Sequence, residues 1–264
     1  MNRAAWLLPL VLLTSGCATG MLARPSGNGA AAPEAPAIWA DTTARCASAR
    51  VFVAQVRMNG WVGDRGTRLG PPTMNLAVTR DEDIYLEVPM IVGGPVVQMA
   101  GRAGDVTLML PRDGRVHQGT TYEVIHAMTG LRWGPRRLLE VLSACVAAPA
   151  GEVAGRRFDR LLRVDVSASA TAWLERRGSQ WRVRAADLDG WRVDYEEYDV
   201  IWPRRIRVVG PPVAPLDLLF TVEQTQVNVS LPATAFDLRV PADAVPMTVD
   251  ELRANGPLRD RGGV

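Results

Sequence analysis

Leu162-Arg163-Val164-Asp165-Val166-Ser167 decides the fold class: the apolar side chains at 162, 164 and 166 face one way, and Arg163, Asp165 and Ser167 face the other. Period-two alternation of this kind makes a β-strand with one dry and one wet face. The pattern recurs downstream. Trp191, Val193 and Tyr195 alternate with Arg192, Asp194 and Glu196, and Ile206 and Val208 alternate with Arg205 and Arg207. Leu218, Phe220 and Val222 open a long strand toward Val229, and Phe236, Leu238 and Val240 close the set. Residues 172–176 and 181–185 flank Arg177-Gly178-Ser179, a hairpin signal.

The same reading extends upstream. Phe52, Ala54 and Val56 oppose Val51, Val53 and Gln55, and the turn Gly63-Asp64-Arg65-Gly66 ends that strand. Gly70-Pro71-Pro72 interrupts the next segment, and a strand resumes over residues 74–79. Ile84, Leu86 and Val88, then Val97 and Met99, then Val106, Leu108 and Leu110 continue the alternation to the turn Pro111-Arg112-Asp113-Gly114. Helical composition is confined to residues 40–49, with Asp41, Thr42 and Thr43 as caps, and to 122–129 and 135–146. Pro135 occupies a first-turn position, and Leu138, Leu139 and Leu142 form one apolar face. The expectation is a mainly β (α+β) fold of about ten or eleven strands. Three helical pieces are too few to cover a flat sheet of that size, so the sheet must curl around them or fold into a sandwich. A curled sheet has an apolar concave interior, which either packs completely or holds an apolar ligand.

The N-terminus carries a targeting signal. Arg3 precedes an apolar run over residues 4–13, about half the roughly 20 residues of a membrane span. It reads as the core of a signal peptide over residues 1–16. Leu13-Thr14-Ser15-Gly16-Cys17 resembles a lipobox, with Thr14 where Leu is usual, which makes Cys17 the site of lipidation. The alternative is an ordinary secretory peptide with Cys17 incidental. Residues 17–38, rich in Ala, Gly and Pro, read as a flexible lipidated tether. One folded domain is expected over residues 39–253, and a polar, disordered tail over 254–264.

Thirty basic residues against 28 acidic ones give a net charge of +2, with no basic run, which argues against nucleic acid as a partner. Cys46 and Cys145 are left as a pair for a disulfide in an oxidising compartment, or as two buried thiols. Catalysis finds little material. His117 and His126 have no metal-ligand spacing, no nucleophile elbow follows a strand, and no metal or cofactor is implied. The carboxylates of Asp194 and Glu196 share the face opposite Tyr195 and read as a solvated surface. Met90, Ile91 and Val92 interrupt a loop with three consecutive apolar side chains. They either extend the core or project toward a membrane or partner.

The order of these features resembles the lipoprotein-carrier superfamily, the LolA/LolB-like proteins, and within it the outer-membrane receptor (LolB) branch. The resemblance covers residues 40–252. It rests on an N-terminal helix, Met58-Asn59-Gly60-Trp61-Val62, the hairpin Ile84-Tyr85-Leu86-Glu87-Val88-Pro89 with its apolar loop, and Val96-Val97-Gln98-Met99. It continues through Val106-Thr107-Leu108-Met109-Leu110, the two helices, and the late strands Gly190-Trp191-Arg192-Val193-Asp194-Tyr195 and Trp202-Pro203-Arg204-Arg205-Ile206.

The resemblance implies a single curved antiparallel half-barrel with helices plugging its concave face. Its interior would bind acyl chains of lipoproteins or other lipids, with Leu86, Val97, Met99, Leu108, Leu110, Val164, Val183, Val193, Ile206 and Phe220 as cavity residues. Met90, Ile91 and Val92 would form a membrane-contacting loop. The implied setting is the periplasmic face of the outer membrane, with a periplasmic carrier protein as a further partner. A structural lipoprotein of an envelope complex, without lipid ligand, is the alternative.

Overall fold

The structure, a computed structural model, describes residues 20–70, 73–90, 94–146, 153–254 and 256–258. The signal-peptide segment 1–16, Cys17, Ile91 and Val92 lie outside the described residues. The chain opens with β1 (Ala30–Ala31) and α1 (Ala35–Ser48). It continues through β2 (Val51–Val62), β3 (Thr67–Leu69), β4 (Thr73–Thr79), β5 (Ile84–Val88), β6 (Val97–Arg102), β7 (Asp105–Leu110) and β8 (Arg115–Thr120). Two helices follow, α2 (Thr121–Thr129) and α3 (Pro135–Leu142). The second run is β9 (Ala154–Phe158), β10 (Leu161–Ser167), β11 (Ala170–Arg177), β12 (Gln180–Leu188), β13 (Trp191–Tyr198), β14 (Pro203–Val209) and β15 (Leu216–Val227). A 3₁₀ turn at Ala233–Phe236, β16 (Val245–Pro246) and α4 (Val249–Ala254) complete it.

All the described strands belong to one unclosed, curved sheet, in the order β1-β9-β10-β11-β12-β13-β14-β15-β2-β4-β5-β6-β7-β8-β16, with β3 paired to β2. This is the curved half-barrel that the resemblance implied, and of the two forms the alternation left open, a curled sheet or a sandwich, it is the first. Its halves are two runs of antiparallel hairpins, joined where β15 meets β2. There Phe220 stands opposite Met58 and Leu218 opposite Gly60. Gly60 has φ +144°, and a Cβ on it would come within 2.0 Å of the Asp217 carbonyl oxygen. Only glycine lets the two long strands close at that point.

Apolar rows run unbroken across the concave face. One passes through Leu76, Leu86, Met99 and Leu108, and another through Tyr195, Ile206, Phe220 and Met58. Three helices pack into the hollow: α1 against β9, β10 and β12, α2 against β7 and β8, and α3 against β4. Cys46 at the end of α1 is disulfide-bonded to Cys145 just beyond α3, 99 positions later in the sequence. A bridge closing so long a loop contributes about 4–5 kcal/mol in the chain-entropy picture.

The sheet has more strands than the expected ten or eleven. β1, β3 and β16 are too short to show a period, and β9 is a strand near the sheet edge with no buried residue and no apolar alternation. Phe236, Leu238 and Val240 do not form a strand. Pro232 fixes the start of a 3₁₀ turn that tucks Phe236 against β6, beneath the Arg102 guanidinium at 5.6 Å. Helix α1 starts at Ala35 with a proline in its first turn, five residues before the expected start. Thr42 and Thr43 do not cap it; their hydroxyls donate to the carbonyls of Ile38 and Trp39 one turn back. Helix α3 stops at Leu142, because Ala144 takes φ +53°.

Residues 20–31 correct the expectation of a flexible tether over 17–38. Leu22 packs among Leu161, Trp173, Ala185 and Phe158 on the convex face, and Ala30 and Ala31 pair with Arg157 and Arg156. Between these attachments, Arg24 donates to Asp194 at 2.5 Å and to Asp187 at 3.1 Å. Asp194 is wholly buried and also accepts from the Leu22 backbone N–H, with Arg184 at 3.6 Å. Its face is therefore no solvated surface: the N-terminal segment covers it, and Glu196 beside it is held by Arg205 at 2.6 Å. A composition rich in Ala, Gly and Pro supplies no packed face of its own, but two anchoring side chains suffice to dock it.

Removing one partner of a sealed buried ion pair costs about 3–5 kcal/mol. Here the segment can peel and admit water, so Arg24→Ala is expected to cost about 2–3 kcal/mol. Urea denaturation measures this, together with faster proteolysis before residue 30. Unchanged stability and unchanged cleavage would show that the pair does not hold the segment.

Candidate functional site

At the centre of the hollow, strands from both halves of the sheet meet α2 and α3. β2 and β4 contribute Val56, Met58, Met74 and Leu76 to its centre, and β5 and β15 add Leu86 and Phe220. Helix α2 lays Ile125, Met128 and Thr129 across it, and α3 adds Leu138, Val141 and Leu142. Leu131 and Trp133 come from the connection between the two helices. The local sequence accounts for the placement. Thr120 accepts from the Glu123 N–H while Glu123 accepts from the Thr120 N–H, a capping box that starts α2 directly off the end of β8. Gly130 at φ +76° ends the helix, and Pro135 starts the next.

These side chains surround a cavity of about 50 Å³. Thr129 is the one polar residue among the lining side chains named above, and it is satisfied: its hydroxyl donates to the Ile125 carbonyl at 2.7 Å and accepts from the Leu131 N–H at 3.2 Å. With no polar group left to hold water, the cavity is dry. Ligand pockets commonly measure about 300–1,000 Å³, so this space is smaller than one that holds a whole ligand. Met58 and Met74 from the paired strands β2 and β4, and Met128 from α2, are among its walls, and thioether chains repack readily around different shapes.

Leu86 and Phe220 border this space. Val97, Met99, Leu108, Leu110, Val164, Val183, Val193 and Ile206 are all buried in the same concave core, but they fill it rather than border the space. The helices take up the room over them. Met90 stands exposed at the start of its loop. Two features escaped the sequence reading. The first is Val200 and Ile201, an exposed apolar pair at the turn between β13 and β14. The second is Leu258, in the stretch expected to be a disordered tail, which is 1% exposed and lines the cavity. Residues 259–264 of that stretch lie outside the described residues. A lone leucine beyond a helix has no period to betray it.

An open groove of about 680 Å³ lies over the disulfide between α1 and α3, with Arg80, Asp81, Arg136 and Glu140 among its walls. Arg80 donates to the Ala47 carbonyl at 3.3 Å and to that of Cys46, closing the end of α1. His117 Nδ1 lies 2.9 Å from the Met247 carbonyl, and burial together with Arg132 and Arg253 pushes the His126 pKa down. Among the described residues, no group of three or more His, Cys, Asp or Glu is placed to hold a metal ion.

No protein-family model matches the chain, and no curated protein matches it. Solved structures resemble it at low identity. A domain described as an outer-membrane lipoprotein-sorting protein from Vibrio parahaemolyticus is 12% identical, with 76% of this chain and 95% of that one covered and a TM-score of 0.45. A LolA superfamily protein from Nitrosomonas europaea is 11% identical over 72% and 90% of the two chains, with a TM-score of 0.42. A DUF1329 family protein from Desulfovibrio piger is 12% identical over 77% and 96%, also at 0.42.

Glu140 links the groove to stability. Burial raises its pKa, and Arg137 at 3.2 Å, with Arg136 and Arg80, only partly offsets that. A carboxyl whose pKa is higher folded than unfolded binds its proton more tightly in the fold, so stability falls as pH rises through that window. Glu140→Gln is expected to raise the melting temperature at pH 7, with the gain shrinking as pH falls toward the ordinary carboxylate value of 4.5 and lost below it. A variant less stable than the parent at pH 7 would mean that the arginines outweigh the burial.

Proposed function

We propose that this chain is a non-enzymatic acyl-binding protein of the bacterial cell envelope. It is anchored by lipid on Cys17 at the periplasmic face of the outer membrane, and it takes acyl chains of lipoproteins or other lipids into the hollow of its half-barrel. The observation that carries the reading is the dry, methionine-lined cavity at the focus of one continuous apolar sheet face. An apolar wall without unsatisfied polar groups selects for hydrocarbon: each buried CH₂ contributes about 0.8 kcal/mol, and nothing in the wall favours a polar head. The Cys46–Cys145 bridge fits an oxidising compartment. The resemblance of the strand order to the lipoprotein-carrier superfamily supports the same reading, with the receptor branch as its specific form. In that form a periplasmic carrier delivers the ligand, and the loop bearing Met90, Ile91 and Val92 touches the membrane.

The small volume of the cavity supports a second reading, in which the domain is a filled structural module of an envelope complex. Native mass spectrometry of protein prepared without detergent separates the two. Bound lipid of one or a few acyl lengths is expected; a dry protein that co-purifies with stoichiometric partners would favour the structural module.

Anchoring is a separate question with its own measurement. Cys17→Ala is expected to abolish incorporation of labelled palmitate and to move a folded domain from the membrane to the soluble fraction. Undiminished labelling or membrane association would overturn the anchor.

A further inference from the structure

We propose that the C-terminal segment occupies the acyl site of its own protein: Leu258 sits where the end of a linear acyl chain binds, and ligand enters by displacing it. The inference rests on the acyl-binding reading and adds the position of the ligand and the means of opening.

The segment reaches the hollow by a long route. After β15 the chain passes the outside of the sheet, where the 3₁₀ turn rests on β5 and β6. It then pairs as β16 with the outer edge of β8, with Val245 opposite Arg115. Helix α4 turns back over α2 and buries Leu252. From there residues 256–258 run into the mouth of the half-barrel, and Leu258 inserts beside Met58, Met74, Met128 and Phe220.

The attachments of the lining groups are unequal. Val56, Met58, Met74, Leu76, Leu86 and Phe220 belong to strands held on both sides by ladders. Helix α2 is fixed by its capping box, and α3 is followed directly by the disulfide to α1. Leu258 has no helix or strand around it. Among the described residues, one backbone hydrogen bond holds its segment at the mouth, from the Gly70 N–H to the Leu258 carbonyl at 3.3 Å. Sheet and helices cannot yield without breaking several ladder or helix bonds together, whereas residues 256–258 belong to no ladder or helix.

The chemistry of the seat matches the proposed ligand. A leucine side chain and the end of an acyl chain are both saturated hydrocarbon, and the same methionines can close around either. A core that has lost one large aliphatic side chain keeps a dry space of about 150 Å³ that accepts small apolar molecules. Added to the existing space of about 50 Å³, this provides an entry for hydrocarbon rather than a filled core.

The test is titration of a fluorescent dansyl-undecanoic acid into delipidated, detergent-free full-length mature protein, alongside Leu258→Ala and a chain ending at Ala254. Near-UV circular dichroism selects the variants that keep the fold. Both are expected to bind the probe at least fivefold more tightly than the parent. In the parent, saturating probe is expected to speed carboxypeptidase removal of residues beyond Ala254. If the parent binds the probe and folded variants bind it no more tightly, the self-occupant is overturned and the acyl-binding reading stands. If neither the parent nor folded variants bind it, both fail.

Discussion

A sheet with one apolar face and no second sheet to lie against must bury that face with whatever the chain can bring to it. Here α1, α2 and α3, with the C-terminal segment, provide that cover. The curvature of the sheet, the inward placement of the helices and the dry space among them all follow from that demand. So does the bridge from Cys46 to Cys145, which ties the covers of the two halves together: α1 belongs to the β9–β12 side and α3 to the β4 side. Two short helices resting on opposite arms of an open sheet would otherwise be free to part, and the bridge makes them one plug.

The long strands were legible because each sets a dry face against a wet one. From residue 51 to 110 and from 161 to 222, apolar residues alternate onto the concave side with few exceptions, and the turns carry the glycines that reversal needs. The edges were not legible. β9, with Ala154, Gly155, Arg156 and Arg157, has no apolar rhythm because an edge strand is paired on one flank by a two-residue partner and faces solvent. β1 and β16 exist only because the sheet ends there: two alanines and a Val-Pro pair become strands by docking. Such caps protect the exposed backbone groups of edge strands, and only tertiary structure reveals them.

The candidate site was half legible for a related reason. Alternation tells which residues point inward, and all ten cavity residues do; it does not tell which of them border a space once helices have filled the rest. Only Leu86 and Phe220 lie at the focus. The opposite error occurred on the convex side. Asp194 and Glu196 alternate as surface residues should, yet a segment more than 160 positions earlier in the chain covers one of them. Polarity in a strand pattern marks the side away from the core, not the side open to water.

The docking of that segment also determines how the protein meets force. A pull on the chain at residue 20 arrives first at Leu22 and Arg24, whose bonds to Asp194 and Asp187 span the neighbouring strands β12 and β13. The β1–β9 pairing lies behind them along the chain. Tension must therefore shear a buried ionic clamp before it can unzip the edge of the sheet. A ladder of only two residue pairs is thereby sheltered from the end through which it would otherwise be peeled.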